Sequence, residues 1–378
     1  MKRYLYKKVT QGIARTLRTP PYLILFLSNS CWMKCAHCWF NEDWKERWLT
    51  EPTLSFDELE KMADSMGRLI FLSLTGGEAF ARKDIVEIAA MFARKTKLHR
   101  YQIPTSGYKP ELIVGKAEQM LERNRGIPFR VDVSLDGTEQ THDRVRRIKG
   151  GYARVLETVR ALNKLKRHYD YFDVGIITTV SSYNEQEIED IAQVVRDSNP
   201  GGEWMVNIIR GEVRDEQASE IGLTGYIQAH RLIQQRIKQG DYSGHSGHKS
   251  AQWLSAKNAA RREIIIRTVQ GRCAGGGCAA GSLAGVIYAD GNVKPCEMLD
   301  DSLGNIRDYD FDFAALWNSA PADLIRDRIQ DTHCQCTQEC FLSVSMLIQA
   351  QHWPAIVRER LRLISGGAFA RLHRERDL

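Results

Sequence analysis

Between Pro21 and about Gly240, short apolar runs rich in β-branched residues alternate with longer stretches in which apolar positions recur every three or four residues. The first pattern suits buried strands and the second amphipathic helices, so the alternation predicts a parallel sheet built from βα units. Six strands are predicted, at Tyr22–Ser28, Leu69–Thr75, His99–Pro104, Phe129–Leu135, Phe172–Val180 and Trp204–Ile209. Helices are expected near Ser55–Met66, Asp84–Lys95, Pro110–Arg123, Tyr152–His168, Glu185–Asp197 and Thr224–Lys238. Ser55 with Glu58, and Asn184 with Glu187, have the spacing of capping boxes. Six units fall short of the eight in a closed barrel. The expected fold is therefore α/β, a partial (β/α)6 TIM-like barrel with its active site at the C-terminal ends of the strands, followed by a small cysteine-rich module.

The rest of the chain divides by composition. Residues 1–20 form a basic N-terminal segment, 21–240 the barrel, 241–270 a linker, 271–345 the cysteine- and glycine-rich module, and 346–378 a basic helical tail. The linker opens Asp241-Tyr-Ser-Gly-His-Ser-Gly-His-Lys249, where His245 and His248 read more readily as solvated loop residues than as metal ligands. A length of 378 residues allows two or three domains. The chain is 43% hydrophobic and 26% charged with a net charge of +6, which excludes bulk disorder and does not suggest a nucleic-acid binder. The longest apolar stretch, Tyr22–Leu27, is too short for a membrane span, and the Lys-rich N-terminus lacks a signal-peptide core. A cytoplasmic location is expected. Nine cysteines in a reducing compartment point to metal binding or catalysis rather than to disulfides.

The cysteines fall into two groups: Cys31, Cys35 and Cys38, and then six between Cys273 and Cys340, with 234 residues between that contain none. This predicts two metal sites. The run Cys31-Trp-Met-Lys-Cys35-Ala-His-Cys38 directly follows the first strand. Such a loop can wrap three thiolates around one corner of an iron-sulfur cube, leaving one iron open for reaction. A zinc site completed by His37 is the alternative, with His37 awkwardly placed between two ligands. Eight Trp, among them Trp32, Trp39, Trp44 and Trp48 near this loop, are expected to serve packing and insulation.

CxxxCxxC on the first loop of a six-unit βα barrel resembles the radical S-adenosylmethionine (radical SAM) enzymes. The resemblance implies that the open iron chelates the methionine end of the cofactor, whose reductive cleavage yields a 5′-deoxyadenosyl radical that abstracts hydrogen from a substrate. Thr75-Gly76-Gly77-Glu78 is similar to the family's GGE motif, which assigns Gly76, Gly77 and Glu78 to the cofactor and the carboxylate to its ammonium group. Pro104-Thr105-Ser106-Gly107 resembles the family's TNG turn with Ser106 in place of Asn, and brings in Thr105. Ser134-Leu-Asp136-Gly137, with Arg146 twelve residues after Ser134, is similar to the Ser and Arg that the SPASM subgroup places on ribose and carboxylate. Asp136 either joins that set or caps the following turn. Val180 is expected on the adenine side, and Arg210 in the substrate pocket at the end of the sixth strand.

The second group reads Cys273-Ala-Gly-Gly-Gly-Cys278, Gly291-Asn-Val-Lys-Pro-Cys296 and Cys334-Gln-Cys336-Thr-Gln-Glu-Cys340. Ala289-Asp-Gly291-Asn suits a hairpin turn that returns Cys296 toward Cys278. The arrangement resembles a SPASM module, although the later part of that pattern is incomplete; a zinc ribbon is the alternative. Six cysteines imply one auxiliary 4Fe-4S cluster rather than two. The resemblance implies Cys278, Cys296 and Cys340 as ligands, with Cys273 or Cys336 as the fourth. It also implies a peptide or protein side chain as substrate, with a small molecule or membrane lipid as the alternative and a non-catalytic iron-sulfur scaffold or sensor as a remote one. An electron donor such as flavodoxin or ferredoxin would be needed. The basic termini are compatible with peripheral contact at the inner membrane face.

Overall fold

In the computed structural model, residues 17–39, 52–239, 241, 251–272, 277–332, 334 and 336–365 are described. Six parallel strands run in sequence order: β1 Tyr22–Phe26, β2 Phe71–Thr75, β3 Arg100–Thr105, β4 Phe129–Ser134, β5 Phe172–Val180 and β6 Glu203–Ile208. Their helices are α1 Phe56–Asp64, α2 Ile85–Lys95, α3 Pro110–Arg123, α4 Glu139–Arg146, α5 Gly151–Lys166, α6 Ile188–Ser198 and α7 Thr224–Gln239. Every strand pairs with its sequence neighbour, so each βα unit steps one strand along the sheet. Leu23, Leu25 and Leu27 of the first strand and its end pack into the helix-facing core, while Ile24 and Phe26 face a second apolar cluster inside. That alternation is the strand period at work.

The C-terminal module continues the same sheet. β7 (Ala284–Ile287) pairs parallel with β1, and β8 (Asn292–Lys294) and β9 (Gly304–Asn305) add antiparallel, giving the order β6-β5-β4-β3-β2-β1-β7-β8-β9. Gly291 takes φ +89° in the β7–β8 turn, where the hairpin was expected. Four helices complete the described chain after α8 (Ala251–Val269): α9 Phe313–Trp317, α10 Ala320–Asp331, α11 Glu339–Ile348 and α12 Trp353–Ser365.

Two expectations need correction. Most of the supposed linker 241–270 is helix α8; the Gly/Ser/His composition ends at Lys249, and 251–269 contains neither Gly nor Pro. The Ser55–Glu58 capping box is present, but the Asn184–Glu187 one is not. Helix α6 starts only at Ile188, and its N-cap Glu187 makes no side-chain cap bond. The Glu187 carboxylate instead accepts from the backbone N–H and hydroxyl of Thr138 at 3.0 and 2.9 Å, and the Asn184 amide donates to the carbonyls of Asp136 and Thr179, both at 2.9 Å. Both side chains are engaged by the β4–α4 turn and the end of β5, so neither caps its own helix.

Near the N-terminal ends of the strands the barrel interior holds charge. Arg130 is buried between Asp132 and Glu203. Gly175 makes room, since a Cβ there would stand 2.1 Å from Arg130 Nη2. The opposite, C-terminal end stays open.

Candidate active site

At that end a cavity of about 260 Å³ is lined by Cys31, Cys35 and Cys38 on one wall. The ends of β2 to β6 supply the others: Thr75, Gly76 and Gly77; Pro104, Thr105 and Ser106; Ser134; Ile177 and Thr179; and Asn207 to Arg210. Arg146 and Arg214 also reach it.

The cysteine loop is held by backbone from three directions. Ala36 N–H donates to the Val145 carbonyl at 2.8 Å, while the N–H groups of Arg214 and Asp215 donate to Cys38 and Ala36 carbonyls, both at 3.0 Å. Arg214 Nη1 donates to the Cys35 carbonyl at 3.0 Å. On the remaining side the Gly-Gly-Glu segment lies along residues 28–30, with Gly77 N–H on Ser28 O and Glu78 N–H on Ser30 O, both 2.8 Å. A Cβ at Gly76 would meet Ser28 O at 2.3 Å, and one at Gly77 would meet Ser30 O at 2.4 Å. The glycines therefore let the β2 end press against the loop that leads into Cys31.

Glu78 is buried and does not line the cavity. Its carboxylate accepts from Thr105 Oγ1 at 2.9 Å, Ser106 N–H at 2.9 Å, Ser106 Oγ at 2.7 Å and Phe80 N–H at 3.3 Å. Burial pushes this carboxyl above its ordinary value, and the four donors oppose that rise. Glu78 clasps the β2 and β3 ends together, and Ser106, in the place of the usual Asn, supplies two of its donors.

A second buried polar group lies behind Cys35. Asp136 and Arg146 form an ion pair, Asp136 also accepts from Thr179 N–H at 2.8 Å, and Arg146 Nη1 lies 3.6 Å from Cys35 Sγ. Burial disfavours the Asp136 carboxylate, but the Arg146 guanidinium, helped by the Thr179 N–H, holds it below its usual range. His37 lies 4.0 Å from Asp136, and burial pulls its pKa down to about 4, so it is neutral near pH 7. Asp136 lines no part of the cavity itself; it orients Arg146, which does.

Val180 is misplaced by the sequence reading. It is fully buried in the helix-facing core. Residues 177 and 179 of the same strand face the cavity, because side chains alternate across a strand. Parity counted back from Thr179 would have found Ile177. Asn207, Ile209 and Arg214 were also missed; they share the far wall with the expected Arg210.

In the C-terminal module Cys278 and Cys296 are buried, and Cys334 and Cys336 are partly so. Burial pushes the Cys278 thiol up to about 12, and Cys336 and Cys334 add to the rise; burial likewise raises Cys296, with Cys278 and Cys336 beside it. Cys340 lies beside Tyr22 and Glu297, and its thiol too is raised by burial. Cys273 lies outside the described residues, as do His245, His248, Trp44, Trp48 and residues 1–16 and 366–378. Cys38 and Trp39 pack on the apolar cluster that contains Phe26, Tyr288, Cys278 and Cys296, so the two cysteine groups share one dry wall. Phe26 stacks on Tyr288 at 4.7 Å and meets Trp39 edge-on at 6.0 Å.

The residues present fit an iron-sulfur cluster with its cofactor: three thiols line one cavity together with hydroxyls and a guanidinium. That donor set combines thiolate ligands for iron with partners for ribose and carboxylate.

A parallel-sheet partial barrel with this cysteine loop and an appended cysteine-rich hairpin defines an iron-sulfur radical enzyme class, and comparison with known proteins agrees. The radical SAM superfamily profile matches residues 25–195 and that of the SPASM iron-sulfur cluster-binding domain residues 278–341. The sporulation killing factor maturation protein SkfB of Bacillus subtilis is 23% identical over 84% of this chain and 69% of its own. The Fe-coproporphyrin III synthase of Methanosarcina barkeri is 24% identical over 81% and 75%. Among solved structures, anSMEcpe with bound AdoMet superposes with a TM-score of 0.59 at 16% identity, over 92% of this chain and 95% of that one. Streptococcus suis SuiB bound to precursor peptide SuiA gives 0.56 at 14%, over 84% and 69%. The chain belongs to the radical SAM enzymes of the SPASM subgroup. It is an enzyme whose cofactors are a 4Fe-4S cluster, S-adenosylmethionine and auxiliary iron-sulfur chemistry in the C-terminal module.

Proposed function

We propose that this enzyme abstracts hydrogen from a peptide or protein side chain. When bound, the cluster and S-adenosylmethionine supply the primary radical. In this reading Cys31, Cys35 and Cys38 hold the reactive cluster. Gly76, Gly77, Thr105, Ser134 and Arg146 form the cofactor's cradle, with Glu78 and Asp136 positioning that cradle. Cys278 and Cys296, with partners from Cys273, Cys334, Cys336 and Cys340, hold one auxiliary cluster, and a flavodoxin- or ferredoxin-like donor delivers electrons.

The observation that carries the substrate class is the far wall. β6 ends the sheet, and Asn207, Ile208, Ile209 and Arg210 at its C-terminal end line the cavity. A sheet-end strand bordering a cavity suits an extended peptide, which can pair with backbone while one side chain enters. The likeness to SkfB supports the same reading. A small molecule is the second reading, favoured by the likeness to Fe-coproporphyrin III synthase and to the pre-heme d1 synthase of Dinoroseobacter shibae.

The test is deuterium transfer. The reduced, reconstituted enzyme is incubated with S-adenosylmethionine and a panel of perdeuterated peptides, or in parallel with coproporphyrin. Deuterium in 5′-deoxyadenosine and a mass change in the peptide are expected. Transfer from a coproporphyrin substrate and none from peptide would overturn the peptide reading.

A further inference from the structure

Helix α12 buries Ile356 and Leu363 toward the molecule and turns a different stripe outward. Trp353, Val357, Leu361 and Ile364, spaced four, four and three residues apart, are 44, 40, 59 and 46% exposed. That is one continuous helical face. Leu347 on α11 is 50% exposed, and Trp253 on α8 packs against Trp353 at 6.2 Å between ring centroids. These six residues are half of the large apolar side chains exposed among the described residues, gathered on three neighbouring helices. Single exposed apolar residues need no explanation, whereas a contiguous patch does.

Charge indicates what covers it. Arg358 and Arg362 are exposed in the adjacent row of the same helix, and the Arg360 guanidinium lies 4.4 Å over the Trp253 ring. Glu359, paired with Arg362 at 2.7 Å, is the only acid in α12. The patch forms a ridge on a helix with arginines along its side. Apolar and aromatic residues flanked by arginine heads match the acyl and phosphate layers of an anionic leaflet. No helix among the described residues is long and apolar enough to cross a membrane, so contact would be peripheral.

We propose that the outer face of α12, with Leu347 and Trp253, docks the enzyme onto an anionic phospholipid surface. The arginines supply attraction to lipid phosphates, and Trp353 and Leu361 enter the interface.

Flotation of the reconstituted holoenzyme with vesicles tests this. The wild type should float with phosphatidylcholine vesicles containing phosphatidylglycerol, float little with pure phosphatidylcholine, and lose binding as salt rises. Leu361→Glu, and separately Arg358→Glu with Arg362→Glu, should each lower the bound fraction about tenfold or more. Both variants should retain wild-type iron content and 5′-deoxyadenosine formation, which shows that they fold. Failure of the wild type to float overturns the proposal. So does undiminished flotation of Leu361→Glu, which would place the contact elsewhere in the chain. A wild-type dimer that Leu361→Glu converts to monomer, without vesicle binding, would make this face a contact between copies and equally overturn it.

Discussion

Glu78 shows how a single side chain changes meaning once its partners are known. Its carboxylate accepts four hydrogen bonds from Phe80, Thr105 and Ser106. Glu78→Gln would turn an amide NH2 toward those donors, leaving buried groups unpaired at a cost of about 1–3 kcal/mol. Urea denaturation of the metal-free protein should register that loss. Unchanged stability combined with weakened cofactor binding would instead restore a direct contact with the ammonium group. His142 makes a second residue-level case. It is fully buried, accepts from Asp136 N–H at 3.1 Å, and burial lowers its pKa to about 4, as burial with Arg262 nearby lowers His230 to about 3. Both are neutral when folded. As pH falls below about 6.5 the unfolded chain takes up protons that the folded chain refuses, so stability declines between about pH 6.5 and pH 4. A denaturation midpoint that stays level across that window would contradict these burials.

At the level of elements, the site depends on how closely the β2 end approaches the cysteine loop. Gly77→Ala would drive a Cβ to 2.4 Å from Ser30 O, so the loop before Cys31 must shift. The variant should bind less iron at the barrel site while retaining the C-terminal iron, as measured by absorbance and iron analysis after reconstitution. Sequence made the strands legible because a buried parallel strand is apolar on both faces, as β1 illustrates with Tyr-Leu-Ile-Leu-Phe. It made the cysteine loop and the glycine pair legible because few other structures need those residues at that spacing. It did not show that Val180 faces the core, since that turns on parity fixed by the sheet register. Nor did it show that Asn184 and Glu187 serve neighbouring elements rather than their own helix. Helix α4 was missed as well; its eight residues are strongly polar, and its role is to place Arg146 behind Cys35.

For the whole molecule the finding is continuity: the C-terminal module adds strands to the barrel's own sheet, and the two cysteine groups share an apolar wall. Arg210, expected only as a pocket residue, also ties the parts together. Its guanidinium donates to Thr337 O at 2.9 Å and to Glu339 of α11 at 2.6 Å. Arg210→Ala would leave Glu339 without that cation in a mostly buried position, a loss of about 3 kcal/mol. It should loosen the C-terminal module before the barrel, visible as earlier hydrogen exchange in α11 than in β1 to β5. Simultaneous loosening of both would indicate that the pair has no such role.

In the proposed reading the cysteines divide the work, those of the barrel running the radical chemistry and those of the C-terminal module holding a separate auxiliary cluster. Anaerobic reconstitution of the Cys31→Ala, Cys35→Ala, Cys38→Ala variant tests it directly, with iron, sulfide and 5′-deoxyadenosine measured beside the wild type. The wild type should carry about eight irons, and the variant about four with no 5′-deoxyadenosine formed under reduction. Persistent 5′-deoxyadenosine from the variant, or loss of all its iron, would overturn this assignment of the two cysteine groups.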